Sequence, residues 1–590
     1  MHDWLAHGYL RNMKAPCKSI GPLAWGAVTI CAGMASAPMS AGTFSQAAAQ
    51  KQCTEVSRGV PAWPDATTRL TEVTWHGAAS PVIGRLGTPV SVPAHCEVQG
   101  RMQDRVGIDG QHYAIRFHVR LPVHWNGRFL FEGGGGSNGD LGSAIGMINP
   151  GVTSAIERGF AVASQDSGHD NATNSDPEHG GQVAFGFDPE ARENYGGRSL
   201  EPVAEAAKAL IRRFYGRSPH RSYFVGCSKG GQEGMAFAQR YPEEFDGIVA
   251  GAPGFSLPRA AIAEALDTQA FASLLAKPEG QRIDASSLPS AFTDEQFAIV
   301  RKSILAACDA DDGLRDGITA SFATCTWKKL LSELQRGCPE QDNAACLSAA
   351  QIAALERVLS GPRDGGGRPL YSDWPIDAGV GSAQWRLWKI GALGSSYPGN
   401  NVALGASSLA AVFTTPPTAV PQNLQSDFDY VMHFDVDIDG PKIYAVSPVF
   451  LRSAWDEIGA RSSDLTRFRA HGGKLIVPHG ASDPVFSLND TLAWYGEVDA
   501  VNGGSAADFV RVFPVPGMAH CFGGPATDRF DALSALMRWV ERGSAPDRIL
   551  ATAGPTTPWP GRTRPLCPYP KIARYTGSGS IEKAANFRCQ

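Results

Sequence analysis

The run GCSKGG at residues 226–231 places Ser228 after the strand-like SYFVG and before the helix-like QEGMAFAQRY. Glycines at positions 226 and 230 complete a Gly-x-Ser-x-Gly pattern, which at a strand-to-helix turn exposes a strained serine hydroxyl. Such a hydroxyl is a weak nucleophile until a histidine accepts its proton, and that histidine needs a carboxylate to set its tautomer. The pattern also arises by chance, so the prediction of a nucleophile depends on an Asp and a His downstream.

Asp483 and His520 are the candidates for those two partners. Each follows a strand-like run, in IVPHGASDPVFS and VFPVPGMAHCFGG. The chain order Ser, Asp, His is the one that α/β-hydrolases use. Taken alone, Asp483 could begin a turn and His520 could be an ordinary loop histidine, but together with Ser228 they predict a catalytic triad. His479 is the rival base, and we expect it to lie under the Asp483 loop as support.

Acyl transfer also needs two N–H donors aimed at the oxyanion that develops on the substrate. One is expected from the backbone of Lys229, the residue after the nucleophile. The other is expected from the glycine run FEGGGGSNG at residues 131–139, because bare backbone can approach a ligand closely. Within it we choose Gly136 as the donor and Gly135 as a substrate contact. The alternative is a flexible turn without a role.

Cys227 precedes the predicted nucleophile and Cys521 follows the predicted base. If Ser228 and His520 meet within hydrogen-bond distance, their neighbours fall near the distance of a disulfide. The sequence therefore predicts a bridge that ties the two catalytic loops together and holds the histidine in register.

The N-terminus has the order of a secretory signal. Arg11, Lys14 and Lys18 precede the apolar run GPLAWGAVTICAGMASA, which ends in small residues. We predict a signal peptide over residues 1–40, with Met13 as a possible true start, and a secreted or periplasmic protein. A transmembrane anchor is the alternative, but the apolar run is short for a bilayer span.

The composition excludes some partners and indicates a compartment. A formal net charge of −5 on 590 residues provides no electrostatic reason for binding nucleic acid or an anionic membrane surface. Removal of the signal would leave ten of the twelve cysteines, an even number that suggests five disulfides in an oxidising compartment. No Cys-x-x-Cys motif occurs, so zinc is not expected. We expect a monomer without an organic cofactor.

Strand-like and helix-like runs alternate from about residue 110. The strand-like runs are YAIRFHVRL, RFLFEGG, FAVASQD, SYFVG, GIVAGAPG, KLIVPHG and FVRVFPVPG. This alternation predicts an α/β fold with a mainly parallel sheet and helices on both faces. Residues 255–471 break the rhythm and are interpreted as an inserted lid domain. The core would then comprise residues 41–254 and 472–590.

Cys227-Ser228, Asp483 and His520-Cys521 together resemble the CS-D-HC pattern of the tannase and feruloyl esterase family. The segments FDGIVAGAPG, PGMAHCFGG and TRPLCPYPKIARYTGSG strengthen the resemblance, which extends over nearly all of the mature chain. It implies an α/β-hydrolase core with a large lid. It also implies a secreted serine esterase that hydrolyses small esters of aromatic acids of the feruloyl, galloyl or terephthaloyl type.

The segment CDADDGLRDGI at residues 308–318 gathers Asp309, Asp312 and Asp316 in one loop. Carboxylates so close repel one another unless a cation lies between them, and hard oxygen ligands suit Ca²⁺. The residues alone leave a solvated acidic loop equally open, and the spacing is not that of an EF-hand. The family resemblance favours structural calcium, with the carbonyls of Leu314 and Ile318 as further ligands. It also implies the disulfide pairs Cys53–Cys96, Cys308–Cys325, Cys338–Cys346 and Cys567–Cys589.

The lid segment SAQWRLWKIG supplies tryptophans on which an aromatic acyl group could stack. Trp388 matches the lid tryptophan of the family better than Trp385, and the alternative is that both belong to the core. Phe486 is a second candidate for the pocket wall.

Family members that hydrolyse a mono-acid terephthalate ester use a lid arginine to bind the free carboxylate. The corresponding stretch here, residues 395–417, contains no Arg or Lys. We therefore expect neutral aromatic esters to be better substrates than mono-acids, with hydrolysis of mono(2-hydroxyethyl) terephthalate as the alternative function. The ammonium group of Lys229 is the alternative carboxylate partner. Two further alternatives remain: a serine peptidase of the same fold, and a non-catalytic protein that binds aromatic ligands.

Overall fold

A nine-stranded sheet lies at the centre of the fold in the computed structural model, which describes residues 45–84, 89–147, 149–276, 282–337 and 346–590. The strands are β1 (Arg69–His76), β2 (Ser80–Ile83), β3 (Pro89–Val92), β4 (His95–Val106), β5 (His112–Pro122), β6 (Arg128–Glu132), β7 (Ala161–Gln165), β8 (Arg221–Cys227), β9 (Gly247–Gly251), β10 (Lys474–Gly480), β11 (Val510–Val515), β12 (Arg529–Phe530), β13 (Ile549–Thr552), β14 (Thr563–Leu566), β15 (Ala573–Tyr575) and β16 (Phe587–Cys589).

The strand order in the central sheet is β1-β4-β5-β7-β6-β8-β9-β10-β11. The six strands from β7 to β11 run parallel, whereas β5, β4 and β1 extend the sheet antiparallel on one edge. Small antiparallel sheets are formed by β12-β13-β14, β15-β16 and β2-β3. The mainly parallel sheet is confirmed; β1 and β4 lie before residue 110, where the sequence rhythm had not been recognised.

The helices are α1 (Gln46–Ser57), α2 (Pro189–Glu193), α3 (Leu200–Tyr215), α4 (Lys229–Arg240), α5 (Leu257–Ala272), α6 (Asp294–Cys308), α7 (Trp327–Gly337), α8 (Ala349–Leu359), α9 (Ala383–Lys389), α10 (Ser407–Ala411), α11 (Leu424–His433), α12 (Ala454–Ile458), α13 (Thr466–His471), α14 (Leu488–Val501) and α15 (Ala532–Arg542). No helix among the described residues is long and apolar enough to cross a membrane.

Side-chain alternation along the strands builds a hydrophobic core on each face of the sheet. On β6, Phe129 and Phe131 pack in one core with residues of α3 and α4, whereas Leu130 packs in the other with residues of α15. This is the two-residue period of a strand that is buried on both faces. The predicted arrangement of helices on both faces is therefore confirmed.

Residues 255–471 contribute no strand to the central sheet within their described part. Their helices enclose a separate hydrophobic cluster that includes Phe271, Phe292, Phe297 and Trp385. Trp385 is thus a core residue, as the alternative interpretation had it. The limits of the lid at residues 255 and 471 stay a prediction.

Three predicted disulfides occur in this framework: Cys53–Cys96, Cys308–Cys325 and Cys567–Cys589. The predicted partner of Cys346, Cys338, lies outside the described residues, as does the predicted signal peptide.

Candidate active site

The predicted catalytic residues follow the carboxyl ends of neighbouring parallel strands. Ser228 comes directly after β8, Asp483 follows β10 and His520 follows β11, while the glycine run begins after β6. Ligand sites in open α/β sheets form at this edge because the loops there converge. The parallel topology therefore brings together residues that are nearly 300 positions apart in the chain.

Ser228 has the backbone geometry of a nucleophile turn, with φ of 67° and ψ of −124°. Its N–H donates to the carbonyl of Gly251, with an N–O distance of 3.1 Å. Glycine is required beside it: a Cβ atom on Gly226 would lie 2.5 Å from the Gly230 carbonyl oxygen, and one on Gly230 would lie 2.7 Å from that of Gly134. These close approaches explain the glycines of the motif.

His520 and Asp483 are paired as predicted. His520 Nδ1 lies 2.8 Å from Asp483 Oδ2, and the other oxygen, Oδ1, accepts from the N–H groups of Val485 and Phe486. Burial by itself would raise the pKa of Asp483, but the electrostatic interaction with His520 and hydrogen bonds from His479 and His520 lower it well below its ordinary value. The carboxylate is therefore ionised and can fix the tautomer of His520.

His479 supports this loop instead of serving as the base. It is fully buried, with Nδ1 at 2.9 Å from Thr491 Oγ1 and Nε2 at 3.0 Å from the Phe486 carbonyl. His520 Nε2 is buried without a hydrogen-bond partner among the described residues, so it is the ring nitrogen left to accept a proton from Ser228.

The predicted disulfide Cys227–Cys521 is present, with a Cα–Cα distance of 6.0 Å across 294 positions of sequence. Cys227 is the last residue of β8 and precedes Ser228, and Cys521 directly follows His520. Cys521 has a φ of +66°, a backbone conformation that L-residues rarely adopt. The bridge therefore connects the serine loop and the histidine loop through covalent bonds.

One predicted oxyanion donor belongs to the residue after Ser228, and the other belongs to a loop that lines the same cavity. Gly136 lies in the loop after β6 with φ of +58°, and Gly135 and Gly136 both line the cavity that contains Ser228. Lys229 is the first residue of α4, where backbone N–H groups have no acceptor within the helix. The arrangement fits the predicted hole, and the assignment of the two donors stays a prediction.

A cavity of about 530 Å³ opens above these residues. Its wall is mostly apolar, and Trp388 lies in it with its ring edge-on to His520 at a centroid distance of 5.3 Å. Phe486 also contacts His520 at 5.3 Å, but it is buried and is not among the cavity-lining residues. Its role as a pocket wall stays a prediction.

The comparison with known proteins agrees with this geometry. A family model described as tannase and feruloyl esterase matches residues 96–590. The chain is 44% identical to the mono(2-hydroxyethyl) terephthalate hydrolase of Piscinibacter sakaiensis over 553 residues, 89% of each chain. This chain belongs to the tannase and feruloyl esterase family. Family members are carboxylic ester hydrolases, and the predicted enzyme class is confirmed.

Other tannase and feruloyl esterase family members are more distant. A probable feruloyl esterase of Arthroderma benhamiae is 30% identical over 485 residues, covering 80% of this chain and 81% of the relative. The crystal structure of feruloyl esterase B from Aspergillus oryzae has a TM-score of 0.71 at 24% identity, covering 92% of this chain and all of that chain. That likeness shows the shared fold, and the predicted α/β-hydrolase core is confirmed.

Some cavity residues of this family member were missed from the sequence. Leu404, 41% exposed on a π-helical turn, Asn401–Ala406, lines the cavity from the lid side. Further lining residues are Met147, Asn149, Gln384, Phe522 and Phe530. Gln384, Leu404 and Phe522 lay in stretches that the sequence analysis had singled out for other residues. Nothing in the local patterns of the others distinguishes a cavity wall from an ordinary loop.

The side chain of Lys229 does not face the substrate. It is 2% exposed, and its Nζ lies 3.2 Å from Glu233 Oε1 on the next turn of α4. Lys229 is not among the residues that line the cavity. The alternative that its ammonium group binds a substrate carboxylate is therefore wrong, because the helix directs the side chain into the protein.

The predicted calcium ligands lie in the turn that follows α6. Asp309 and Asp312 are largely buried, and neither forms an ion pair within the described chain, whereas Asp316 pairs with Arg564. Burial and the nearby carboxylates of Asp316 and Asp309 raise the pKa of Asp312 to about 6. A hard cation would remove this penalty, so the donor set fits Ca²⁺.

A tighter group of possible metal ligands lies at the antiparallel edge of the sheet. In the described chain, ligand atoms of His76, His95 and Glu97 lie within 4.8 Å of one another. Arg120 donates to His95 Nε2 at 2.6 Å and lies 2.9 Å from Glu97 Oε1. A guanidinium group thus already satisfies these atoms, and the cluster does not fit a metal ion.

Proposed function

We propose that this protein is a secreted serine esterase that hydrolyses neutral esters of aromatic acids of the feruloyl, galloyl or terephthaloyl type. The observation that carries the proposal is the mostly apolar cavity that contains Ser228, His520 and Trp388 and has no Lys or Arg among its described lining residues. Such a wall favours an uncharged aromatic acyl group over a charged one.

The mechanism follows from the positions of the triad. Ser228 Oγ attacks the ester carbonyl while its proton passes to His520 Nε2, and the resulting oxyanion accepts hydrogen bonds from the N–H groups of Gly136 and Lys229. His520 then gives its proton to the leaving alcohol as the ester C–O bond breaks. A water molecule, deprotonated by His520, attacks the acyl-enzyme, and the proton returns to Ser228 as the acid leaves. Asp483 orients His520 throughout.

Charge in the cavity supports the preference for neutral esters. Apart from His520, the one ionisable side chain among the described lining residues is Glu132, which accepts from the N–H of Gly146 at 2.7 Å. Leu404 occupies the lid wall, and the ammonium of Lys229 is paired with Glu233 elsewhere. A substrate carboxylate would therefore lose hydration without gaining a cation.

Hydrolysis of mono(2-hydroxyethyl) terephthalate is the second candidate function. It is favoured by the 44% identity to the hydrolase of Piscinibacter sakaiensis that carries this name. The two candidates share the triad and differ in the charge of the preferred substrate.

Specificity constants on matched esters separate the two candidates. We expect kcat/KM to be at least about tenfold higher for methyl ferulate, methyl gallate and bis(2-hydroxyethyl) terephthalate than for the mono-acid, a difference of about 1.4 kcal/mol. A mono-acid constant equal to that of the diester would contradict the proposal. A benzoyl-peptide amide in the same series tests for a peptidase, and no turnover of any ester would indicate a binding protein.

Leu404→Arg tests the cause of this preference. An arginine at this lid position is expected to raise kcat/KM for the mono-acid about tenfold relative to the neutral diester, because guanidinium binds carboxylate bidentately. Leu404→Gln is the matched control, since it adds a polar group without charge and should leave the ratio near that of the wild type. An equal effect of both substitutions would show that charge is not the cause.

We further propose that Ca²⁺ binds the carboxylates of Asp309, Asp312 and Asp316 and the carbonyls of Leu314 and Ile318. The support is that three carboxylates lie in one turn and that those of Asp309 and Asp312 are buried. The Cys308–Cys325 disulfide joins the start of this turn to the segment that follows it. The Ile318 carbonyl also accepts from the N–H of Ala320 at 3.1 Å and keeps a second lone pair. The ion would stabilise the lid and would have no part in the chemistry.

Removal of calcium is expected to lower the melting temperature by several degrees. An ion present at about 100 times its Kd stabilises the folded state by about 2.7 kcal/mol. Thermal unfolding in EDTA, in excess Ca²⁺ and in excess Mg²⁺ measures this difference. Asp312→Asn should abolish the response to Ca²⁺, whereas Asp311→Asn should keep it, because Asp311 pairs with Lys329 instead. Identical melting curves with and without Ca²⁺ would contradict the site.

Secretion is supported by the disulfides. Four bridges occur in the described chain, and such bridges persist in oxidising compartments. Cleavage at the end of the predicted signal, read from the N-terminus of the protein exported by a bacterial host, tests it.

A further inference from the structure

A buried polar cluster lies behind the glycine run that carries the proposed oxyanion donor. At its centre is Glu233, which is fully buried on α4. Its Oε2 accepts from the N–H of Gly134 at 2.8 Å, and its Oε1 accepts from Asn138 Nδ2 at 2.8 Å. One carboxylate thus holds the glycine run at two points, on both sides of Gly136.

The charge of this carboxylate is balanced by Lys229. The ammonium lies 3.2 Å from Glu233 Oε1 and 4.6 Å from the centroid of the Tyr195 ring, a cation–π distance. Lys229 and Glu233 are four positions apart on one helix, the spacing at which side chains meet. A buried carboxylate that is hydrogen-bonded but lacks a cation is strongly destabilised, so the ammonium is required for Glu233 to stay ionised in place.

Tyr195 adds a third point of attachment to the same loop. Its ring lies against the Lys229 ammonium, and its hydroxyl donates to the carbonyl of Gly136 at 3.2 Å. The carbonyl and the N–H of Gly136 are parts of one short backbone segment. A contact that fixes the carbonyl therefore restricts the direction of the N–H.

We propose that Lys229 aligns the two halves of the oxyanion hole: its own N–H is one donor, and its side chain, through Glu233 and Tyr195, positions the loop that provides the other. Lys229, Glu233 and Tyr195 are in this sense positioning residues, because none of their side chains touches the substrate. The inference rests on the proposed function, since it presumes that Ser228 and this hole act on an ester. It predicts that replacing these side chains lowers kcat, which reports stabilisation of the transition state, far more than it changes KM.

Lys229→Met is the principal test, because it removes the charge and keeps most of the volume. We expect kcat on methyl ferulate to fall about 10- to 100-fold, below the effect of deleting a whole donor, while KM changes less than about threefold. The inhibition constant of phenylboronic acid, which forms a tetrahedral adduct on the serine oxygen, should rise by the same factor as kcat falls. That of planar N-methylbenzamide should not change.

Tyr195→Phe keeps the inference testable if Lys229→Met does not fold. It removes only the hydroxyl that reaches the Gly136 carbonyl and retains the ring. We expect a fall in kcat of about three- to tenfold, with the same selective weakening of phenylboronic acid.

Lys389→Met is the matched control. Lys389 forms an equally buried ion pair, with Asp267, and its ammonium lies 4.8 Å from the centroid of Trp374. We expect it to lower the melting temperature without changing kcat or the phenylboronic acid constant.

Two results would overturn the inference: a loss of thermal stability in Lys229→Met without loss of kcat, or an equal weakening of both inhibitors. Failure of the proposed function would look different. In that case a fluorophosphonate would not label Ser228 in the wild-type protein, whatever the Lys229 variants do.

Discussion

Replacing Ser228 with alanine is expected to abolish ester hydrolysis, with kcat on methyl ferulate lowered about a millionfold, to the level of background. The physical reason is that no other group can form the acyl-enzyme. The turn at φ of 67° directs this hydroxyl into the cavity, where His520 Nε2 is the ring nitrogen left to accept its proton. Steady-state kinetics on the purified mature protein measures the loss, and far-UV circular dichroism verifies that the fold persists.

Ser222→Ala provides the control for this experiment. Ser222 lies on the same strand, β8, and is buried, but it is not among the residues that line the cavity. Its replacement should leave kcat near the wild-type value. Turnover by Ser228→Ala above about one hundredth of the wild-type rate, or fluorophosphonate labelling at another residue, would show that the nucleophile has been misassigned.

Removing the Cys227–Cys521 bridge is expected to have the second largest effect. Replacing both cysteines by alanine should lower the free energy of unfolding by about 2–5 kcal/mol, because a cross-link over 294 positions restricts the unfolded chain. It should also lower kcat, since the residues on which it ends are neighbours of Ser228 and His520. Denaturant unfolding and kinetics of the same preparation measure the two effects.

The Cys567–Cys589 pair is the internal comparison. It closes only 22 positions near the C-terminus, and neither cysteine lines the catalytic cavity. Its removal should lower stability and leave kcat unchanged. If both double variants lost activity to the same extent, the Cys227–Cys521 bridge would have no special role in holding the histidine.

The central sheet was predictable because its strands are buried on both faces. Apolar runs such as KLIVPHG and FVRVFPVPG are each followed by a loop with a reactive residue. In the structure these two runs form the strands β10 and β11, as the pattern predicts. The strands β1 and β4 were not recognised, because a half-exposed antiparallel edge has a weaker pattern. Strand order and direction, which place Ser228 beside His520, depend on contacts between distant segments.

The lid shows where local pattern is insufficient. Trp385 and Trp388 lie three positions apart on one short helix, yet one is in the hydrophobic cluster and the other lines the cavity. The sequence does not distinguish the two positions, because the packing of neighbouring segments decides which side of the helix faces the cavity.

The sequence by itself determined the chemistry of this protein: a serine in a nucleophile turn, its histidine and aspartate in order, the paired cysteines beside them and the family to which they belong. These signals are local, since each requires particular residues at short spacing. Only the tertiary structure decided where Lys229 points, which lid residue forms the cavity wall and what holds the glycine run. Those properties arise from helix direction and from burial, and a buried charge is tolerated only where distant residues provide its partners.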